Sequence, residues 1–212
     1  MYTKRAVFFL DILGFGKKVE EAENDLELMT KIRTCLSLIE SLPRASSNNN
    51  VGFLLSLMRG GGLPESDLKV LTFSDSLVIS VSCEQPEAVV TLLSVIQEVQ
   101  YELLKIGLLS RGGADVGLMA HEDNGIMFGS AFNSAYRLES KLAKMPRVLL
   151  GEEYINYIKT NTNFDLEELK SSHLFSETVE DGKYLEMNSF HWVSRLLKNG
   201  DVSLLKSLLV AI

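Results

Sequence analysis

The sequence predicts an α+β fold, a mixed sheet with flanking helices, on three observations. Helical spacings are interleaved with apolar runs, two sets of which come as closely joined pairs. The pairs are joined by turn-forming residues, at Ser74-Asp75-Ser76 and at His121-Glu122-Asp123-Asn124. A chain of 212 residues, 46% apolar and 23% charged, is long enough for one well-buried domain and short for two. Helices interleaved with hairpins argue against a doubly wound parallel sheet.

Ala6 to Leu13 is an unbroken apolar, aromatic-rich run closed by Gly14, as a buried strand should be. Lys17 to Leu42 carries Val19, Leu26, Met29, Ile32, Leu36 and Ile39 at helical spacing, and Pro43 supplies the stop. Ala45 to Asn50 reads as a polar loop and Gly60-Gly61-Gly62 as a connector, while Val51 to Met58 is apolar and ambiguous. Leu68 to Phe73 and Leu77 to Cys83 are two strands. In the second, Ile79, Val81 and Cys83 share one face and Ser80 and Ser82 the other.

Pro86 to Ile106 is a helix that opens on a first-turn proline and ends at Gly107. Gly112 to Ala120 and Gly125 to Phe128 form the second strand pair. Ser130 to Lys144 is the third helix, ended by Pro146. A strand at Arg147 to Leu150, a helix from Glu152, a strand at Lys183 to Met187 and a C-terminal helical stretch complete the pattern. The division expected is residues 1–189 as the catalytic domain and 190–212 as a helical extension. In the latter the stripe of Trp192, Leu196, Leu197, Leu204, Leu205, Leu208 and Leu209 suits packing on the domain or its dimer.

Bulk composition excludes several classes of function. The net charge is −7 and no block of Lys or Arg occurs, which counts against nucleic acid as the partner. An acidic chain that handles a polyphosphate needs cations to bridge the like charges. No stretch approaches the ~18 apolar residues of a membrane span, and the apolar run near the N-terminus is too short for a secretory signal. The expected location is cytoplasmic, without membrane insertion. Cys35 and Cys83 lie in apolar periodic segments and are expected to be buried, reduced thiols. His121, His173 and His191 lack metal-ligand spacing.

The chemistry rests on a few polar side chains set against apolar runs. Asp11 ends Phe8-Phe9-Leu10, and Asp75 sits in the turn between two strands. Taken singly, Asp75 suits a turn and Asp11 a solvated strand end. If their strands are neighbours, both carboxylates meet at one pocket edge, an oxygen-only setting that suits Mg²⁺ or Mn²⁺. Asn133 and Arg137, four residues apart past Gly129, fall on one helix face. Arginine cannot deprotonate and offers forked donors, which suits a phosphate.

Phe9-Leu10-Asp11-Ile12-Leu13-Gly14-Phe15 resembles the first-strand signature of class III nucleotidyl cyclases. Phe73-Ser74-Asp75-Ser76 is similar to that family's second metal-binding hairpin, with Ser74 where glycine is usual. Arg111, Gly113 and Gly117 match its next strand, and Asn133-Ser134-Ala135-Tyr136-Arg137-Leu138 matches its Asn/Arg helix. The four motifs run in order from about Val7 to Arg147. The resemblance implies a mixed sheet with a ferredoxin-like core. It also implies a nucleoside triphosphate substrate, with Asp11, Asp75 and the Ile12 carbonyl holding two Mg²⁺ or Mn²⁺ ions. Arg137 would stabilise charge at the α-phosphate and Asn133 would orient the ribose. Ile12, Leu71, Arg111 and Ile126 would line the substrate. In the family the metal acids and the Asn/Arg pair come from different subunits, so a head-to-tail homodimer would share two sites and a monomer would be inactive.

Relatives that read a purine do so with polar side chains shortly before the second acid and seven residues before the asparagine. Here those positions hold Leu71 and Ile126, which cannot hydrogen-bond a purine edge. That departure, with the Arg-Gly-Gly strand and the Tyr136-Arg137-Leu138-Glu139-Ser140 helix, resembles the compact pyrimidine cyclases of bacterial anti-phage (Pycsar) systems. Those make cyclic UMP or cyclic CMP for a separate effector protein. UTP is favoured here over CTP; the pattern assigns no base-reading residue, and Arg59, near the triglycine, is named only as a guess. The alternatives are a purine cyclase with other base readers and an inactive cyclase-like module for binding or dimerisation.

Gly14-Phe15-Gly16-Lys17 lacks the third glycine of a dinucleotide loop. Lys183, in Asp181-Gly182-Lys183, reads as a hairpin lysine or, less well, as the family's late triphosphate-binding lysine.

Overall fold

The computed structural model describes residues 2–47, 68–171, 175–177 and 183–189. Its strands are β1 (Tyr2–Leu13), β2 (Lys69–Phe73), β3 (Ser76–Ser82), β4 (Leu109–His121), β5 (Met127–Gly129), β6 (Val148–Leu150), β7 (Phe175–Glu177) and β8 (Leu185–Met187). The helices described are α1 (Phe15–Ala22), α2 (Leu26–Ser47), α3 (Pro86–Lys105), α4 (Ser130–Arg137), α5 (Glu152–Asn161) and α6 (Leu166–Ser171). One sheet has the order β2-β3-β1-β4-β6-β8-β7, with β5 paired to β4. Only β4 and β6 run parallel, so the sheet is mixed as expected.

β1 lies inside the sheet between β3 and β4, and both of its faces are covered. Ala6, Phe8, Leu10 and Ile12 join the larger core with Cys35 and Ile39 of α2, Leu92 and Ile96 of α3, and Tyr154 and Ile158 of α5. Val7 and Phe9 face the other way, onto Val78, Met119 and the Ala131 and Ala135 methyls of α4. A strand buried on two faces has no polar side to show, which is why its apolar run is unbroken.

Several expected boundaries change. The helix expected from Lys17 to Leu42 is two helices, because Asp25 starts a new one: its Oδ1 accepts the Leu28 N–H at 3.0 Å, an N-cap. Pro43 does not stop α2, which runs on to Ser47 and overlaps the expected loop from Ala45. Proline forfeits one intrahelical bond and crowds residue i−4, but the residues after it keep their own donors. The third helix becomes a π-turn over Leu138–Leu142. β7 is a strand that the sequence pattern does not announce.

Cys35 is buried, and burial pushes its thiol up to about 11, whereas Cys83 is only half-buried. His121 is buried against the Ser80 hydroxyl, 2.8 Å away. The readings of 51–58, Arg59, the triglycine, His173, His191 and the C-terminal stripe lie outside the described residues. No helix among the described residues is long and apolar enough to cross a membrane.

Candidate active site

Register places the site residues. Residues directly opposed in an antiparallel pair project from the same face of the sheet. Phe73, Ser76, Asp11 and Arg111 form one row across β2, β3, β1 and β4; Leu71, Val78, Phe9 and Gly113 form the next. This is the face that carries α4. The strands of the two acids are neighbours, as the metal reading requires. The Ile12 N–H donates to the Asp75 carbonyl at 2.8 Å, which sets the two acids side by side. Asp75 stands second in a tight turn whose first residue, Ser74, has φ +54°. A side chain there crowds its own backbone, which explains why glycine is the usual occupant.

α4 lies hard against β4 because two glycines leave it room. A Cβ on Gly113 would come 2.4 Å from the Ala135 carbonyl oxygen and 2.5 Å from Leu138 Cβ. One on Gly117 would meet Ser130 Oγ at 2.9 Å. Between these gaps, the buried Asp115 accepts the Tyr154 N–H at the start of α5 at 3.0 Å and the Ser134 hydroxyl of α4. Burial raises its pKa, against the pull of the Ser134, Val116 and Tyr154 donors.

Asn133 and Arg137 sit on the exposed side of α4, and neither side chain makes a hydrogen bond or ion pair with another described residue. Between them Tyr136 stacks at 6.5 Å on Phe132, and both pack edge-on against Phe9. Phe73, at 78% exposed, and Tyr136, at 50%, leave an apolar face around the row of acids. A patch of this kind marks a surface for a partner or ligand.

Leu71 and the turn carrying Ile126 come together. A Cβ on Gly125 would lie 3.9 Å from Leu71 Cδ1, and Ile126 is half-exposed beside it. The Lys69 ammonium clamps the same turn through Asp123 at 2.8 Å and holds that carboxyl below its ordinary range. Lys183 pairs with Glu152 at 3.7 Å.

Arg111 has a pairing that the sequence did not disclose. Its Nε lies 3.0 Å from Asp11 Oδ2 and 2.7 Å from Glu139 Oε1. The single Nε hydrogen is aimed at Asp11, so Glu139 is paired in charge but its buried Oε1 has no hydrogen bond among the described residues. Burial raises the Glu139 pKa, Arg111 pulls it down and Asp11 pushes it up. Asp115 and Glu139 are the residues missed. The signal for Asp115 was an acid at an inward position of an alternating strand.

No protein-family model and no curated protein matches the chain. Among solved structures it is similar to the catalytic core of a rhodopsin-guanylyl cyclase with converted specificity, in complex with ATPαS. That likeness has a TM-score of 0.55 and 15% identity, over 88% of this chain and 96% of that one. It is also similar to a bacterial light-regulated adenylyl cyclase, at TM-score 0.51 and 16% identity over 94% and 98%. The fold is that of a class III cyclase catalytic domain.

On the cyclase fold the donor set fits a hard cation. Among the described residues no three acid, histidine or cysteine side chains converge. Mg²⁺ is commonly held by one or two carboxylates, with water and substrate phosphates completing its shell. Asp75 has a carboxylate without a protein partner among the described residues, and Arg111 donates to only one of the Asp11 oxygens, Oδ2.

Proposed function

We propose that this chain is a nucleotidyl cyclase. It would convert a pyrimidine nucleoside triphosphate, UTP before CTP, to the 3′,5′-cyclic monophosphate and pyrophosphate. The observation that carries the reading is the juxtaposition of Asp11 and Asp75 on a cyclase fold, with Asn133 and Arg137 unpartnered among the described residues on an exposed face. Residues 1–189 act as the catalytic domain and 190–212 as an extension that packs on it or on the dimer. The enzyme works in the cytoplasm as a homodimer, and its product signals to a separate effector in anti-phage defence.

In the reaction the ribose 3′-oxygen attacks the α-phosphorus. The bond to the β-bridging oxygen breaks, pyrophosphate departs and the hydroxyl proton passes to water. Asp11, Asp75 and the Ile12 carbonyl would hold two Mg²⁺ or Mn²⁺ ions, which would acidify the 3′-hydroxyl and neutralise the leaving group. Asn133 of the partner subunit fixes the ribose, and Arg137 of the partner subunit meets the charge that grows on the α-phosphate. Arg111 faces the phosphates from the row of the acids. The exposed aromatic face around Phe73 and Tyr136 supplies apolar area for pairing the two chains.

Leu71 and the Gly125-Ile126 turn close one end of the face with apolar groups, which supports a small base over a purine whose edge needs partners. The test is incubation with each of ATP, GTP, CTP and UTP plus Mn²⁺, with the product mass measured. UTP or CTP turnover is expected. Turnover of ATP or GTP alone overturns the pyrimidine preference, and none with any of the four overturns the activity.

A further inference from the structure

Two carboxylates compete for one hydrogen at Arg111, and they differ in access. The Asp11 side chain is 21% exposed and stands at the open edge of the face. That of Glu139 is 4% exposed, and its Oε1 is shut off from water without a hydrogen bond from any described residue. A buried carboxylate oxygen with no donor is a standing cost, relieved as soon as an N–H turns toward it. A cation arriving from solvent can reach Asp11 but not Glu139. It also cannot share Asp11 comfortably with a guanidinium, since like charges at such range repel.

We propose that Glu139 is a positioning residue that receives Arg111 when a divalent cation takes Asp11. The guanidinium turns from Asp11 to Glu139, gives Oε1 the hydrogen bond it lacks, and leaves the acid free. Arg111 is then a resident counter-ion with a prepared second berth. Glu139 lies two residues past Arg137, on the π-turn that continues α4, so the exchange also ties the seating of that helix to occupancy at Asp11. This rests on Asp11 being a cation ligand, as in the reading above.

The test uses Mn²⁺ alone as the probe and binding to the full chain as the readout, followed by calorimetry and by the resonance of free Mn²⁺. Glu139→Gln should weaken binding about tenfold, the usual scale for a group that orients a metal ligand, because Arg111 then has only Asp11. Arg111→Gln should tighten it by a similar factor. In the Arg111→Gln background, adding Glu139→Gln should change affinity by less than about threefold, since the effect runs through the arginine.

Equal weakening with and without Arg111 overturns the proposal and makes Glu139 a plain source of negative potential. A fall in Tm with unchanged Mn²⁺ affinity overturns it as well. A wild-type structure with Mn²⁺ bound in which Arg111 still donates to Asp11 does so without any variant. If Asp11→Asn binds Mn²⁺ as the wild type does, the metal assignment itself fails, a distinct outcome.

Discussion

The backbone N–H of Ile12 reaches the carbonyl of Asp75 over 2.8 Å, so the two acids are set by main chain and not by side-chain packing. The Asp75 carboxylate, which has no partner among the described residues, is therefore free to be substituted without disturbing the frame that presents it, whereas that of Asp11 is held by Arg111.

Asp75→Ala follows from this. It should remove turnover and leave both the dimer and the thermal midpoint as they were, within about 0.5 kcal/mol of stability, as for other substitutions that break no protein contact. Product mass and sedimentation measure the two halves. Retained turnover refutes the metal assignment.

Shared sites make a quantitative demand. Asp11→Ala and Arg137→Ala proteins should each be inactive, yet an equal mixture of freely exchanging subunits should recover about a quarter of wild-type activity. Half of the dimers are then mixed, and each of those carries one intact site. No recovery under demonstrated exchange rules out the split arrangement.

The contact of α4 with β4 can be probed through the glycines. Gly113→Ala places a methyl 2.4 Å from the Ala135 carbonyl oxygen, so the helix must lift, at about 1–3 kcal/mol or more. Gly16→Ala, in α1 with nothing within 4 Å, should instead gain roughly 0.5–1 kcal/mol from helix propensity. Urea midpoints compare them, and equal effects would mean that α4 does not seat as described.

Asp115 gives the pH dependence. Burial raises its folded pKa above the ordinary 3.8, so across that window the folded chain binds more protons than the unfolded one. Its contribution is complete below 3.8 and is lost as pH climbs through the raised value. The stability-versus-pH curve should therefore fall with rising pH there, and Asp115→Asn should flatten the fall. Glu139 acts in the same sense from 4.5 upward. An unchanged slope in Asp115→Asn counts against the buried carboxylate.

Local patterns made much of this legible. Ala6 to Leu10 read as buried because it is apolar on both faces, and Pro86 and Gly107 bracketed α3 through their own backbone constraints. Asp11 and Asp75 could be picked out as acids at the edges of apolar runs, and Asn133 and Arg137 as an amide and a guanidinium four residues apart on one helix face. The break at Asp25 was missed because periodicity spans it, although an acid three residues before a helical N–H is a readable cap. β7, three residues long, carries too little pattern to register. The Arg111–Glu139 pair joins residues 28 apart through tertiary packing alone, so no spacing rule could reach it.

β4 offers α4 a charge, a gap, a charge and a gap in turn: Arg111, Gly113, Asp115, Gly117. Side chains on a strand change sides with every step, so one extra residue ahead of Arg111 would turn both charges into the apolar layer and drive Ala114 or Val116 under the helix. The exposed turn after His121 has no such constraint. Length variation in descendants of this chain should collect at that turn, while the span from Arg111 to Gly117 keeps its count.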